Sequence, residues 1–109
     1  MIYYILDADH QPVPVDDVLT WGRWFENFDN RCVARTEVAP GIVVSTICLG
    51  IDHNFFGGPP ILFDTMTGSD YGWDGEVRYA SWAEAEAGHW LIVEHIRSLL
   101  QERRKPDGA

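Results

Sequence analysis

Two histidines and two carboxylates in this chain are of the types that acid-base or metal chemistry uses. Asp52 and His53 stand at the mouth of a glycine-proline loop in "GIDHNFFGGPPILFDTM" (Gly50 to Met66), Asp64 lies in the apolar run that follows, and His89 projects from a later apolar stripe. Brought together, the four could hold a metal ion or move a proton in a small hydrolase. Their spacing names no reaction. The sequence has no His-x-x-x-His pair, no nucleophile elbow and no phosphate-cradling glycine loop before Lys-Ser or Lys-Thr, and "GGPP" leads into a strand pattern instead of a helix start. An aspartate after a strand commonly caps a turn with its own side chain, and a histidine on an apolar helix face is commonly a hydrogen-bonded core residue. No catalytic residue, metal or cofactor is therefore assigned. His89 is expected under a sheet, with one ring nitrogen bonded to backbone or to a carboxylate.

The loops carry a different signal. "HNFFGGPP" and "GSDYGWDG" place Phe55, Phe56, Tyr71 and Trp73 among glycines and acids, outside the periodic segments. Aromatics on loops make good anchors for a partner because they bring large contact area with few rotatable bonds; in a small domain they can equally fold back to roof the core. Arg23, Arg31 and Arg35 are the only basic residues before Arg78. They could pair with Glu26, Asp29 and Glu37, or grip a phosphate or carboxylate. Trp24 or Phe28 could then stack a base, in a site completed by a second subunit of a homodimer.

These residues need a scaffold, and the patterning supplies one. "IYYIL" reads as a first strand closed by the turn-rich "DADHQPVP". A helix then opens at Val15 or Asp16 in "VDDVLTWGRWFENF", with Trp21, Phe25 and Phe28 at helical spacing. "CVARTEV" alternates as a half-buried strand, Pro40-Gly41 turns the chain, and "IVVSTICLGI" is its apolar central partner. If Ala39 pairs with Ile42, Cys32 lies opposite Leu49, so Cys32 and Cys48 face opposite sides and cannot bridge. "ILFDTM" and "GEVRYA" give two more strands. Ser81 and Glu84 fit a capping box before a last helix whose stripe is Trp82, Ala85, His89, Ile92, Val93, Ile96, Leu99 and Leu100; Arg103, Arg104 and Lys105 suit its C-terminal dipole. The expected fold is α+β: a single-layer antiparallel sheet of about five strands with two helices on one face, in the order β-α-β-β-β-β-α. Residues 1–105 form one domain and 106–109 a short flexible tail.

Composition bounds the partners. The chain has 109 residues, of which 46% are hydrophobic, enough for one core. No run approaches the roughly 18 apolar residues of a membrane span, no signal peptide is visible, and the two cysteines fit a reducing cytoplasm. With 17 acids against 8 bases the net charge is -9, which argues against direct binding to duplex nucleic acid and suits a basic partner surface.

Through "PVPVDDVLTWGRWFE", "VARTEV", "VSTICLGIDHNFFGGPPILFDTM" and "RYASWAEAEAGH", nearly the whole chain resembles a family of small uncharacterised proteins of tailed bacteriophages and prophages. Asp64 stands where the family pattern often carries glutamate. The resemblance implies expression in the cytoplasm of an infected bacterium and an accessory role, such as counter-defence. A non-enzymatic protein that binds a host protein is the leading expectation. A sponge for a small nucleotide signal, or a small hydrolase or metal-dependent enzyme using Asp52, His53, Asp64 and His89, are the alternatives.

Overall fold

The computed structural model describes residues 2–70 and 72–104. Strands β1 (Tyr3–Leu6) and β2 (Pro12–Val15) form a two-stranded antiparallel hairpin. Its turn is built by Asp7, whose carboxylate accepts from the backbone N–H of Asp9 and of Gln11. β2 falls where the sequence reads as a turn, because two prolines in four residues speak against a strand. At alternate positions they are compatible with an edge strand, where only every second N–H faces the partner.

Helix α1 (Val18–Glu26) starts two or three residues later than expected. Asp17 is its cap: the carboxylate accepts from the Leu19 N–H at 3.0 Å and from the Thr20 hydroxyl at 2.8 Å. Asn27 caps a single further turn, α2 (Phe28–Arg31). α1 packs chiefly on the β1–β2 hairpin, with Trp24 reaching the core cluster. The joint lies at Gly50, whose carbonyl accepts both the Tyr4 N–H at 2.8 Å and the Trp21 indole N–H at 3.0 Å. Gly50 has φ 72°, and a Cβ there would come within 2.9 Å of the indole nitrogen, so this position demands glycine.

The main sheet is an antiparallel meander of β3 (Cys32–Ala39), β4 (Ile42–Cys48), β5 (Phe63–Ser69) and β6 (Gly72–Tyr79), in that spatial order. The antiparallel α+β architecture is as expected, with one strand and one short helix added. The pairing of β3 is corrected. Ala39 does oppose Ile42, but a bulge between Glu37 and Ala39 brings Thr36 opposite Val44, and a second one between Cys32 and Ala34 brings Cys32 opposite Ile47 instead of Leu49. One bulge changes which face a side chain occupies. Between the two irregularities, Ala34 and Thr36 therefore share a face with Thr46 and Val44, while Arg35 shares the other with Ser45. Two shifts restore the parity of Cys32, so Cys32 and Cys48 still face opposite sides, and both are free thiols.

Helix α3 (Trp82–Arg104) covers one face of this sheet. Ser81 caps it through its hydroxyl, which accepts the Glu84 N–H at 3.1 Å. Ala85, His89 and Val93 are buried, facing Val44, Thr46, Cys48, Phe63 and Thr65. The expected stripe holds up to Ile96; Leu99 is nearly half exposed. The cause is length. A helix of 23 residues runs about 35 Å, whereas strands of 7 or 8 residues run about 25 Å, so the last turns pass beyond the sheet. Lys105 and the tail 106–109 lie outside the described residues.

Gly88 faces Tyr79 across the helix-sheet contact, and a Cβ at Gly88 would overlap the Tyr79 ring. Alanine ordinarily improves a helix interior over glycine by about 1 kcal/mol. Here Gly88→Ala is expected to lower stability to urea by about 1–3 kcal/mol through overpacking. In a Tyr79→Leu background the same substitution is expected to raise it; a double-mutant cycle with no coupling would refute the contact.

Candidate functional site

His89 is fully buried between α3 and the sheet. Its Nε2 lies 2.8 Å from the Thr36 hydroxyl and its Nδ1 lies 2.8 Å from the Thr46 hydroxyl, which in turn lies 2.5 Å from the Thr65 hydroxyl. The ring is thus held by one threonine from each of β3, β4 and β5. Both nitrogens are bonded to hydroxyls, not one to backbone or carboxylate as expected. Burial pulls its pKa below the ordinary histidine value, because a desolvated imidazolium is disfavoured. A neutral ring donates from one nitrogen and accepts at the other, which the hydroxyl chain satisfies in either tautomer.

Asp64 faces the other way. It follows Phe63 and precedes Thr65 on β5, and it pairs with Ile47 and Arg78 on the side that α3 does not cover. Its residue is 4% exposed and its Oδ1 has no hydrogen-bond partner. Burial, helped by Glu76, raises its pKa, with Arg78 and His53 acting in the opposite direction. His89 and Asp64 are therefore separated by the sheet itself, and the four candidate groups do not converge. Among the described residues, no group of three or more His, Cys, Asp or Glu side chains is placed to hold a metal ion.

Asp52 and His53 build the loop that follows β4. Asp52 Oδ1 accepts the N–H of Asn54 at 2.7 Å and of Ile61 at 2.9 Å, closing the loop across its base. The His53 N–H donates to the Ile61 carbonyl, and its Nδ1 is 2.8 Å from the Ile51 carbonyl. Asn54 donates to the Pro59 carbonyl and accepts the Phe56 N–H. At the tip, Phe55 is 79% and Phe56 100% exposed. Phe55 and His53 also line a hollow of about 360 Å³ with Ile2, Ile51 and Asp52. Trp73, on β6, is 57% exposed; Tyr71 lies outside the described residues.

The three arginines occupy separate settings. Arg23 is exposed on the last turn of α1. Arg31 stacks its guanidinium 3.6 Å from the Phe25 ring centre and donates to the Cys48 carbonyl at 3.1 Å. Arg35 stands on the open face of the sheet, in a hollow of about 240 Å³ with Phe28, Ser45, Ile47, Met66 and Trp73. The expected pairs with Glu26, Asp29 and Glu37 are not formed; among the described residues the one ion pair joins Arg78 to Glu76 at 2.5 Å. Trp24 packs against the core cluster and does not serve as an open stacking face. Ser45 and Met66 were not candidates from the sequence. Only the strand register puts them beside Arg35, although Phe28 and Trp73 were visible as aromatics. Cys48 is a buried thiol whose pKa burial pushes up to about 11, so it is no nucleophile at neutral pH. Comparison with family models, with curated proteins and with solved structures returns no match.

Two pH effects of opposite sign follow from these burials. The folded-state pKa of His89 is lowered, so the unfolded chain takes up that proton first as pH falls below about 6.5. Its contribution to stability is present above that pH and is lost below it. His89→Gln is expected to flatten the dependence of the urea midpoint on pH between 7.5 and 5.5; an unchanged slope would contradict the burial argument. Asp64 works in reverse. Its raised pKa means that stability falls as pH rises above the unfolded value of about 3.9. Asp64→Asn is expected to stabilise the protein at pH 7 by about 1 kcal/mol, the scale of a buried acceptor left unbonded.

Proposed function

We propose that this chain is a non-enzymatic binding protein that engages a host protein through the loop of residues 52–61. The observation that carries this reading is the pair Phe55 and Phe56, exposed at the tip of a loop whose base and flanks are tied by Asp52, His53 and Asn54. Exposed phenylalanines are normally folded away. Here the hydrogen bonds hold them outward, so little ordering entropy remains to be lost on binding. The net charge of -9 favours a partner with a basic surface around an apolar pocket and disfavours an anionic lipid surface. The resemblance to phage proteins supports a bacterial host component as that partner and counter-defence as the role.

An enzyme built on Asp52, His53, Asp64 and His89 finds no support in this geometry, since His89 and Asp64 lie on opposite faces. A nucleotide sponge using all three arginines is not favoured either, because Arg31 is engaged by Phe25 and Cys48.

Tagged protein presented to bacterial host lysate tests the proposal. A specific host protein is expected to be retained, and Phe56→Ser to weaken its affinity by about 2 kcal/mol, roughly thirtyfold. Phe55→Ser is expected to act in the same direction. Both variants are expected to melt with the wild type, because neither side chain is in the core. Undiminished capture by the double variant with an intact melting curve would remove the loop from the interface.

A further inference from the structure

The sheet face opposite α3 carries a ligand-shaped arrangement that does not involve the 52–61 loop. Arg35, Ser45 and Met66 lie in one register row across β3, β4 and β5. With Ile47 they form the floor of the hollow of about 240 Å³, and Phe28 and Trp73 form its walls. Both wall aromatics are open to solvent, Phe28 at 46% and Trp73 at 57%. Trp73 is nevertheless fixed in place. Its ring lies against Gly68, where a Cβ would come within 2.7 Å of the indole, so one face of the indole is seated on backbone. Among the described residues no acid lines this hollow and Arg35 has no ion-pair partner; Glu76, next to Met66 in the same row, is paired with Arg78.

Arg35 and Trp73 also line an adjoining hollow of about 260 Å³ with Gly41, Val43, Gly68, Ser69 and Asp70. Each is below the roughly 300–1,000 Å³ usual for small-molecule sites, and the two joined at Arg35 and Trp73 reach it. Asp70 makes the second hollow unfavourable for an anion. Glu37, also on the open face, lies two residues along β3 and lines neither hollow.

We infer that the open sheet face binds a nucleotide: a planar base against Trp73 or Phe28, and its phosphate on Arg35 and the Ser45 hydroxyl in the first hollow. Aromatic faces stack any base with little sequence preference. An arginine holds a phosphate by two parallel hydrogen bonds, and a serine hydroxyl adds a neutral donor. One arginine in a chain of net charge -9 suits a ligand with one phosphate better than a polyphosphate, whose further charges would find no cation here. The inference extends the binding role to a second surface and stands independently of the loop.

Calorimetric titration of the full chain with AMP and GMP, and with adenosine and guanosine as uncharged probes, tests it. At least one nucleotide is expected to bind more tightly than its nucleoside. Arg35→Gln is expected to weaken the nucleotide roughly tenfold and leave the nucleoside unchanged. Trp73→Ala is expected to weaken both, and Phe55→Ser with Phe56→Ser to weaken neither. All four side chains are exposed, so circular dichroism melts are expected to match the wild type. Absence of binding by either nucleotide, equal binding of nucleotide and nucleoside, or unchanged nucleotide affinity in Arg35→Gln would overturn the inference. Loss of binding in the phenylalanine variant would place the ligand at the loop and overturn it as well.

Discussion

A neutral imidazole between the long helix and three strands is the constraint on which this structure depends. His89 bonds to Thr36 and Thr46, and Thr46 to Thr65, so one side chain of α3 is fixed against β3, β4 and β5 at once. Apolar stripes alone would let a helix slide or rotate on a sheet with little penalty. A buried polar chain tolerates no such freedom, because any displacement leaves a ring nitrogen or a hydroxyl unbonded in a dry environment, at about 1–3 kcal/mol each. The irregularities of β3 belong to the same device. Continued without a bulge from Ala39, the ladder would turn Thr36 to the open face and leave Nε2 without its partner.

That choice of face has a second consequence. The bulge that turns Thr36 inward turns Arg35 outward, onto the face with Ser45, Ile47, Asp64 and Met66. Apart from Phe28 of α2 at the rim of the hollow, the N-terminal elements leave the Arg35 part of that face open because they are tied elsewhere. The hairpin and α1 meet the sheet at the Gly50 carbonyl, while the His10 ring stacks on Trp82 at 3.7 Å at the start of α3. Trp82 also meets Phe63 edge-on, which links hairpin, helix and sheet through one indole. The small N-terminal layer thus closes the end of the core, and the sheet keeps one working face.

Much of this layout was legible in the sequence, and the failures have physical causes. The alternation from Ala34 to Glu37, the Pro40-Gly41 turn, the Ser81 cap and the stripe from Trp82 to Ile96 are local signals that survive into the fold, whereas the bulge beside Cys32 takes it off the face it was expected to share with Ala34 and Thr36. β2 was hidden because proline speaks against a strand until its edge position is known. The register of β3 was hidden because a bulge depends on what the strand must face, here an imidazole 53 residues away. The start of α1 moved because Asp16 and Asp17 are adjacent carboxylates able to cap it, and Asp17 makes the bonds. The arginines stand close in sequence, and sequence proximity was the only distance available; α2 and the bulges of β3 give them different surroundings.

The candidate groups diverge for a reason that bears on what this domain can do. Asp52 and His53 are used up in closing a loop, and His89 in seating a helix, so the residue types most suited to chemistry serve geometry. What they hold in place is recognition surface. It is a pair of phenylalanines at a loop tip and an arginine between two open aromatic rings. A fold that spends its hydrogen-bonding side chains on fixing apolar and cationic surfaces is organised for recognition, where affinity comes from surfaces ordered before contact. Asp64 is the exception. Its buried carboxylate has an oxygen without a partner and lies beside Ile47, in the floor of the arginine hollow. No hydrogen bond among the described residues accounts for that oxygen, which makes the open sheet face the part of this molecule least explained by its own stability.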